Sequence, residues 1–188
     1  MIATATTVSA AAPATCEPLA NPLIAILRQL VCVLDSIDNA MYSRRMGSLF
    51  ADSTIGGHVR HCLDHARALL DGRESGAVDY DHRLRGTDIE TDTSSARAEL
   101  TRLIAAASRL CTVDADEELS VLVMPSRDGP TVDLRSTLGR ELIFVLSHTI
   151  HHNATIRGMV VALGLPVPET LGYAPATLAF RDAIKCAR

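Results

Sequence analysis

Residues 136–163 read STLGRELIFVLSHTIHHNATIRGMVVAL. Leu138, Leu142, Val145, Ile156 and Val160 recur at the three-and-four spacing that lines one face of an α-helix, and Gly164, with Pro166 and Pro168 behind it, supplies the stop. A helix of this length with one apolar stripe buries that stripe against other helices, and the rest of the chain offers three candidates. Residues 21–41 carry Leu23, Leu27, Leu30, Leu34, Ile37 and Met41, with Asn21 as cap and Pro22 in the first turn. A second helix, capped by Asp52 or Ser53, runs along Ile55, Val59, Cys62, Ala66 and Leu70 to Asp71-Gly72. A third covers 93–111 with Ala96, Leu100, Leu103 and Leu110 inward.

Between the third and fourth helices, Leu119, Val121 and Val123 alternate as in a strand, and Ser126, Arg127, Asp128, Gly129 and Pro130 turn the chain into a second run at 131–134. The spacing predicts an all-α four-helix bundle with a small β-hairpin between helices 3 and 4, a charged loop over 73–92 and a short tail helix from Pro175. Residues 1–20, rich in Ala and Thr, read as a flexible N-terminal arm, and 21–188 as a single helical domain.

Composition narrows the function. With 188 residues and 47% hydrophobic content the chain can bury a core without staples. A net charge of −4 with interspersed signs gives no footprint for nucleic acid or anionic lipid. Three Phe, three Tyr and no Trp leave little for base or sugar stacking. The five cysteines are dispersed without a CxxC pair, the pattern of reduced thiols, and no signal or membrane segment is read at the start, so a cytoplasmic location is expected.

The chemical signal is histidine. Six of seven fall in two clusters, His58, His61 and His65 on the second helix and His148, His151 and His152 on the fourth. His148 and His152 lie roughly 40° apart on one face, a turn apart, so both imidazoles can reach one ion. His151 points roughly 140° from the core direction and reads as either exposed or a support behind a ligand. On the second helix, His58 and His65 lie roughly 60° and 80° from the stripe and His61 roughly 120°, so periodicity alone leaves the third ligand open.

The run Ser53-Thr54-Ile55-Gly56-Gly57-His58-Val59-Arg60-His61-Cys62-Leu63-Asp64-His65 resembles the second-helix motif of DinB-like proteins, and Ser147-His148-Thr149-Ile150-His151-His152 resembles their fourth-helix motif. The resemblance covers about residues 21–165 and implies a metal triad of His61, His148 and His152. Asn153, Ala154 and Thr155 replace the Arg-Gly-Gln that often follows in the family, and His65 stands where relatives often have Glu, which leaves room for a changed or fourth ligand. The resemblance also implies a metal-dependent enzyme: a transferase or isomerase using a low-molecular-weight thiol, or a hydrolase, acting on a small-molecule substrate.

A zincin-type protease is disfavoured, because Thr149 occupies the position of the glutamate in HExxH. Three neutral imidazoles leave coordination positions open and suit zinc, nickel, iron or copper alike. The competing reading is a non-catalytic metal-binding or stress-response interaction protein. Asp79, Tyr80, Asp81, His82, Arg83, Arg85 and Glu90 read as either a pocket mouth or surface ion pairs. Glu141 and Asp64 can accept a ligand's second N–H or simply be solvated, and Cys62 reads as a core thiol. A two-fold homodimer is expected from the amphipathic helices.

Overall fold

The computed structural model describes residues 15–83 and 85–186. The chain is mainly helical, with one small three-stranded sheet. Helix α1 (Glu17–Asp35) packs on α4 (Thr93–Ser108) and α5 (Leu138–Ala162), and α3 (Ile55–Ser75) packs on the same two. The apolar stripes read from the sequence face inward: Leu23, Leu27 and Leu30, Val59 and Cys62, Leu100 and Leu103, and Leu142, Val145 and Ile156 are all fully buried.

Helix α1 begins four residues before Asn21. Pro18 occupies its first turn, and the buried Cys16 anchors the entry by donating its N–H to the Val113 carbonyl at 2.9 Å, so no cap is needed at Asn21. Residues 17–20, expected in the arm, are therefore helical, and residues 1–14 lie outside the described part. The helix expected to reach Met41 stops at Asp35, because Asp38 accepts the Met41 N–H at 2.7 Å and starts a separate turn, α2 (Asn39–Tyr42). By length and composition α1 can cross a membrane; 44% of its apolar window is buried inside the fold.

Thr54, rather than Asp52 or Ser53, caps α3, its hydroxyl accepting the Gly57 N–H at 2.9 Å. Ala51 and Asp52 sit at φ 51° and 53°, the left-handed region, where neither can start a helix. The helix continues through Gly72 to Ser75 and ends at Gly76, φ 77°. A Cβ on Gly72 would lie 2.6 Å from the Ala77 carbonyl oxygen, so this glycine is a close-approach residue rather than a helix stop.

The region 73–92 is more than a loop. It holds the last turn of α3, strand β1 (Ala77–Asp79) and a 3-10 turn at Asp88–Glu90. Strand β1 runs parallel to β2 (Glu118–Val123), which pairs antiparallel with β3 (Val132–Thr137), so the expected hairpin is the edge of a three-stranded sheet. Val78, fully buried, fixes β1; a three-residue strand is too short for periodicity to register. Thr137 caps α5 directly from the end of β3, and α6 (Pro175–Cys186) closes the described chain with no buried residue.

Candidate metal centre

Two helices build the site. On α3, His61 and His65 are one turn apart; on α5, His148 and His152 are one turn apart, and the α3–α5 packing turns these faces toward each other. The Nε2 atoms of His61 and His148 are 2.9 Å apart. His61, His65 and His148 can each offer one nitrogen so that all three lie within 4.8 Å of one another. Tetrahedral ligands of one zinc-like ion stand about 3.3 Å apart, so the three nitrogens must close by up to about 1.5 Å around an ion. The donor set fits a borderline divalent ion.

His152, the third residue of the triad implied by the family resemblance, stands beside this set. Its ring centroid lies 4.5 Å from that of His61 and 4.6 Å from that of His148. The structure thus brings His61 and His148 together, groups His65 with them, and places the His152 ring beside both. His151 is exposed, as its angle on the helix indicated.

The hydrogen-bond network assigns the tautomers. Ser53 Oγ donates to the Phe50 carbonyl at 2.5 Å, so it can only accept from His58 Nε2, 3.0 Å away. His58 Nδ1 is then a lone pair and takes the N–H of His152 Nδ1 at 2.9 Å, which leaves His152 Nε2 free to bind. His65 Nδ1 donates to the His61 carbonyl at 2.9 Å, so its Nε2 is likewise free. A ligand imidazole held at its second nitrogen in this manner keeps both tautomer and ring plane fixed. Sequence spacing could not show that His58 acts through His152.

Burial holds the cluster neutral. Desolvation first, and neighbouring imidazoles second, push His61 down to about 2 and His152 to about 3. Desolvation likewise takes His65 to about 4 and lowers His58 and His148. The imidazoles are therefore neutral across the physiological range, as metal ligation requires.

The segment after β1 is both pocket mouth and turn. Tyr80 is buried, its ring stacked on His65 with centroids 5.4 Å apart, and its hydroxyl donates to Glu141 Oε2 at 2.9 Å. Arg83 donates from its guanidinium to His61 Nδ1. Asp79 caps the turn, accepting the N–H groups of Asp81 and His82 at 2.9 and 3.0 Å.

Neither carboxylate considered for orienting a ligand does so, and neither is solvated. Glu141, 1% exposed, accepts from Tyr80, Ser136 and Arg140. Asp64, 4% exposed, is paired by Arg60 and Arg67. Cys62 is a core thiol, pushed upward by burial. Beside the histidines, Tyr80, Val121, Leu134, Arg140, Glu141 and Phe144 line a cavity of about 260 Å³ between sheet and α5.

No protein-family model matches the chain. The sequence is 30% identical over 102 residues to FK506-binding protein 5 of Rhizopus delemar, a match that covers 54% of this chain and 26% of that protein. The chain thus spans about a quarter of the length of this relative.

Proposed function

We propose that the chain is a DinB-like four-helix bundle whose histidine cluster holds one divalent metal ion, and that it works as a metal-dependent enzyme on a small molecule. The observation that carries this reading is the convergence of donor nitrogens from His61, His65 and His148 within 4.8 Å. The two sequence runs that resemble the DinB-like motifs lie on the two helices that face each other here, which supports the family reading. The match to FK506-binding protein 5 covers too little of that protein to bear on activity.

His61 and His148 form the invariant pair of this proposal, and His152, from the family pattern, supplies the third nitrogen with His65 as its competitor. A bound divalent ion supplies Lewis acidity, which favours the thiolate of a low-molecular-weight thiol or the deprotonation of water at neutral pH. The protein supplies the rest. Neutral imidazoles of His65 and His152 keep their Nε2 lone pairs free, Tyr80 and Phe144 exclude water from the side of His65 and His148, and the adjacent cavity takes an apolar substrate of modest size. No carboxylate among the described residues contacts the cluster, so thiol transfer, which needs no protein base once the thiolate is formed, fits better than peptide hydrolysis.

One observation favours the second reading, a non-catalytic metal-binding protein. His152 Nε2 is free, and a fourth imidazole closing the shell would leave no position for thiol or water. Cobalt(II) loading tests both. An open site changes its visible spectrum when a low-molecular-weight thiol is added and turns over a thiol–electrophile pair; a closed four-histidine site does neither.

A homodimer, a cytoplasmic location and the absence of nucleic-acid or membrane partners belong to the same proposal. Ile143, Val161, Phe180 and Ile184 are exposed apolar residues that a partner copy can cover. Light scattering at high micromolar concentration decides the oligomeric part: a monomer there overturns it.

A further inference from the structure

Arg83 contacts the ring nitrogen of His61 that faces away from His148. A guanidinium is donor only and stays charged, so His61 Nδ1 must be the acceptor and the ring hydrogen must sit on Nε2, pointing at His148 Nε2. That is the wrong tautomer for ligation through Nε2. For His61 to bind an ion there as a neutral imidazole, its hydrogen must move to Nδ1, where it meets the N–H of Arg83: donor faces donor. Ligation through Nδ1 instead puts the ion where the guanidinium sits. In either case the contact breaks, and the positive charge of Arg83 beside a divalent cation acts in the same direction.

We propose that Arg83 is a placeholder for the metal: it holds His61 in the non-ligating tautomer and is displaced when the ion enters. The inference rests on His61 being a ligand.

The fold permits this movement in the side chain. The segment is moored on one side by buried Tyr80 and the Asp79 turn, and on the other by the Ile89 carbonyl, which accepts the Tyr42 hydroxyl at 2.7 Å, and by Glu90, which accepts the Gly86 N–H at 3.0 Å. Arg83 sits between these moorings, half-buried, with its Nε buried and without a hydrogen-bond partner, and besides the His61 contact it is Asp64 and Asp81 that attract its charge. Arg83 itself lines a groove of about 230 Å³ together with Asp64, Arg67, Asp71, Asp79 and His82, which gives its side chain room to swing away from His61. Displaced Arg83 would then stand at the mouth of the site as a cationic arm for an anionic substrate group.

The test is zinc affinity by competition with a chromophoric chelator, on the full chain and on four variants, with circular dichroism to confirm folding. Arg83→Gln offers an acceptor to the His61 Nδ1–H and is expected to bind zinc about 10-fold tighter, the scale of a ligand's hydrogen-bond partner. Arg83→Ala removes the competitor and should also bind tighter than the parent. Arg83→Lys keeps a donor-only cation and should stay within about threefold of the parent. Arg85→Gln removes the same charge from the same segment without touching His61, and should also stay within about threefold. Unchanged or weaker binding in Arg83→Gln and Arg83→Ala overturns the inference while leaving the metal site standing. An equal gain in Arg85→Gln assigns the effect to long-range charge and overturns it too. No zinc bound by any of the five proteins overturns the metal reading itself, and the inference with it.

Discussion

Nδ1 of His152 lies 2.9 Å from Nδ1 of His58, and the Ser53 hydroxyl, spent on the Phe50 carbonyl, fixes which of them carries the hydrogen. His58 thereby orients His152 without needing to touch an ion. His58→Ala is expected to weaken zinc binding about 10-fold with little change in folding, and His58→Asn, whose amide oxygen can still accept, to recover part of the loss. Chelator competition reads both. Equal affinity in His58→Ala and parent would sink the orienting role.

Acid sensitivity follows from the same burial. In the chelator-stripped protein His61, His65 and His152 are held near 2, 4 and 3, below the ordinary value of 6.5, so between those values and 6.5 the unfolded chain binds protons that the folded chain does not. Stability is thus full above about 6.5 and falls as pH drops below it. Urea midpoints from pH 7.5 to 4.5 should decline, and less steeply in His65→Gln. A flat profile, or one identical in the variant, contradicts this.

Tyr80 couples the site to a buried carboxylate. Tyr80→Phe keeps the stack on His65 but removes the donor to Glu141 Oε2, so it should cost about 1–3 kcal/mol of stability and leave metal content unchanged. Denaturant unfolding and bound-metal assay separate the two effects; loss of metal in Tyr80→Phe would mean that the hydroxyl serves the ion directly.

Gly56 sets the floor of the mouth. A Cβ there would lie 2.0 Å from the Glu90 carbonyl oxygen and 2.9 Å from the Tyr42 ring. Gly56→Ala is expected to destabilise by about 1–3 kcal/mol and to loosen the turn at Asp88–Glu90, seen as faster amide exchange there. Unchanged exchange in that turn would show that the contact does not anchor it.

The four long helices were legible because each carries an apolar stripe that repeats over several turns, as Leu138, Leu142 and Val145 do. Their ends were less so. Asn21 and Ser53 look like caps, but the anchoring of Cys16 to Val113 and the capping by Thr54 are settled by tertiary contact and local φ, which a residue type alone does not encode. Gly72 reads as a helix stop until the strand it admits is placed beside it. In the site, clustering pointed to metal, and the structure sets nitrogens of His61, His65 and His148 close enough to hold an ion. The nearness of His65, the bond of His58 to His152 and the contact of Arg83 depend on which nitrogen faces which neighbour, and helix angles do not carry that information.

The most direct test of the account is the bound-metal content of the full chain after zinc loading and desalting, beside His61→Ala and His148→Ala. One equivalent per chain in the parent and little in either variant is the expected result. A parent that retains no metal, or variants that retain as much as the parent, would contradict it.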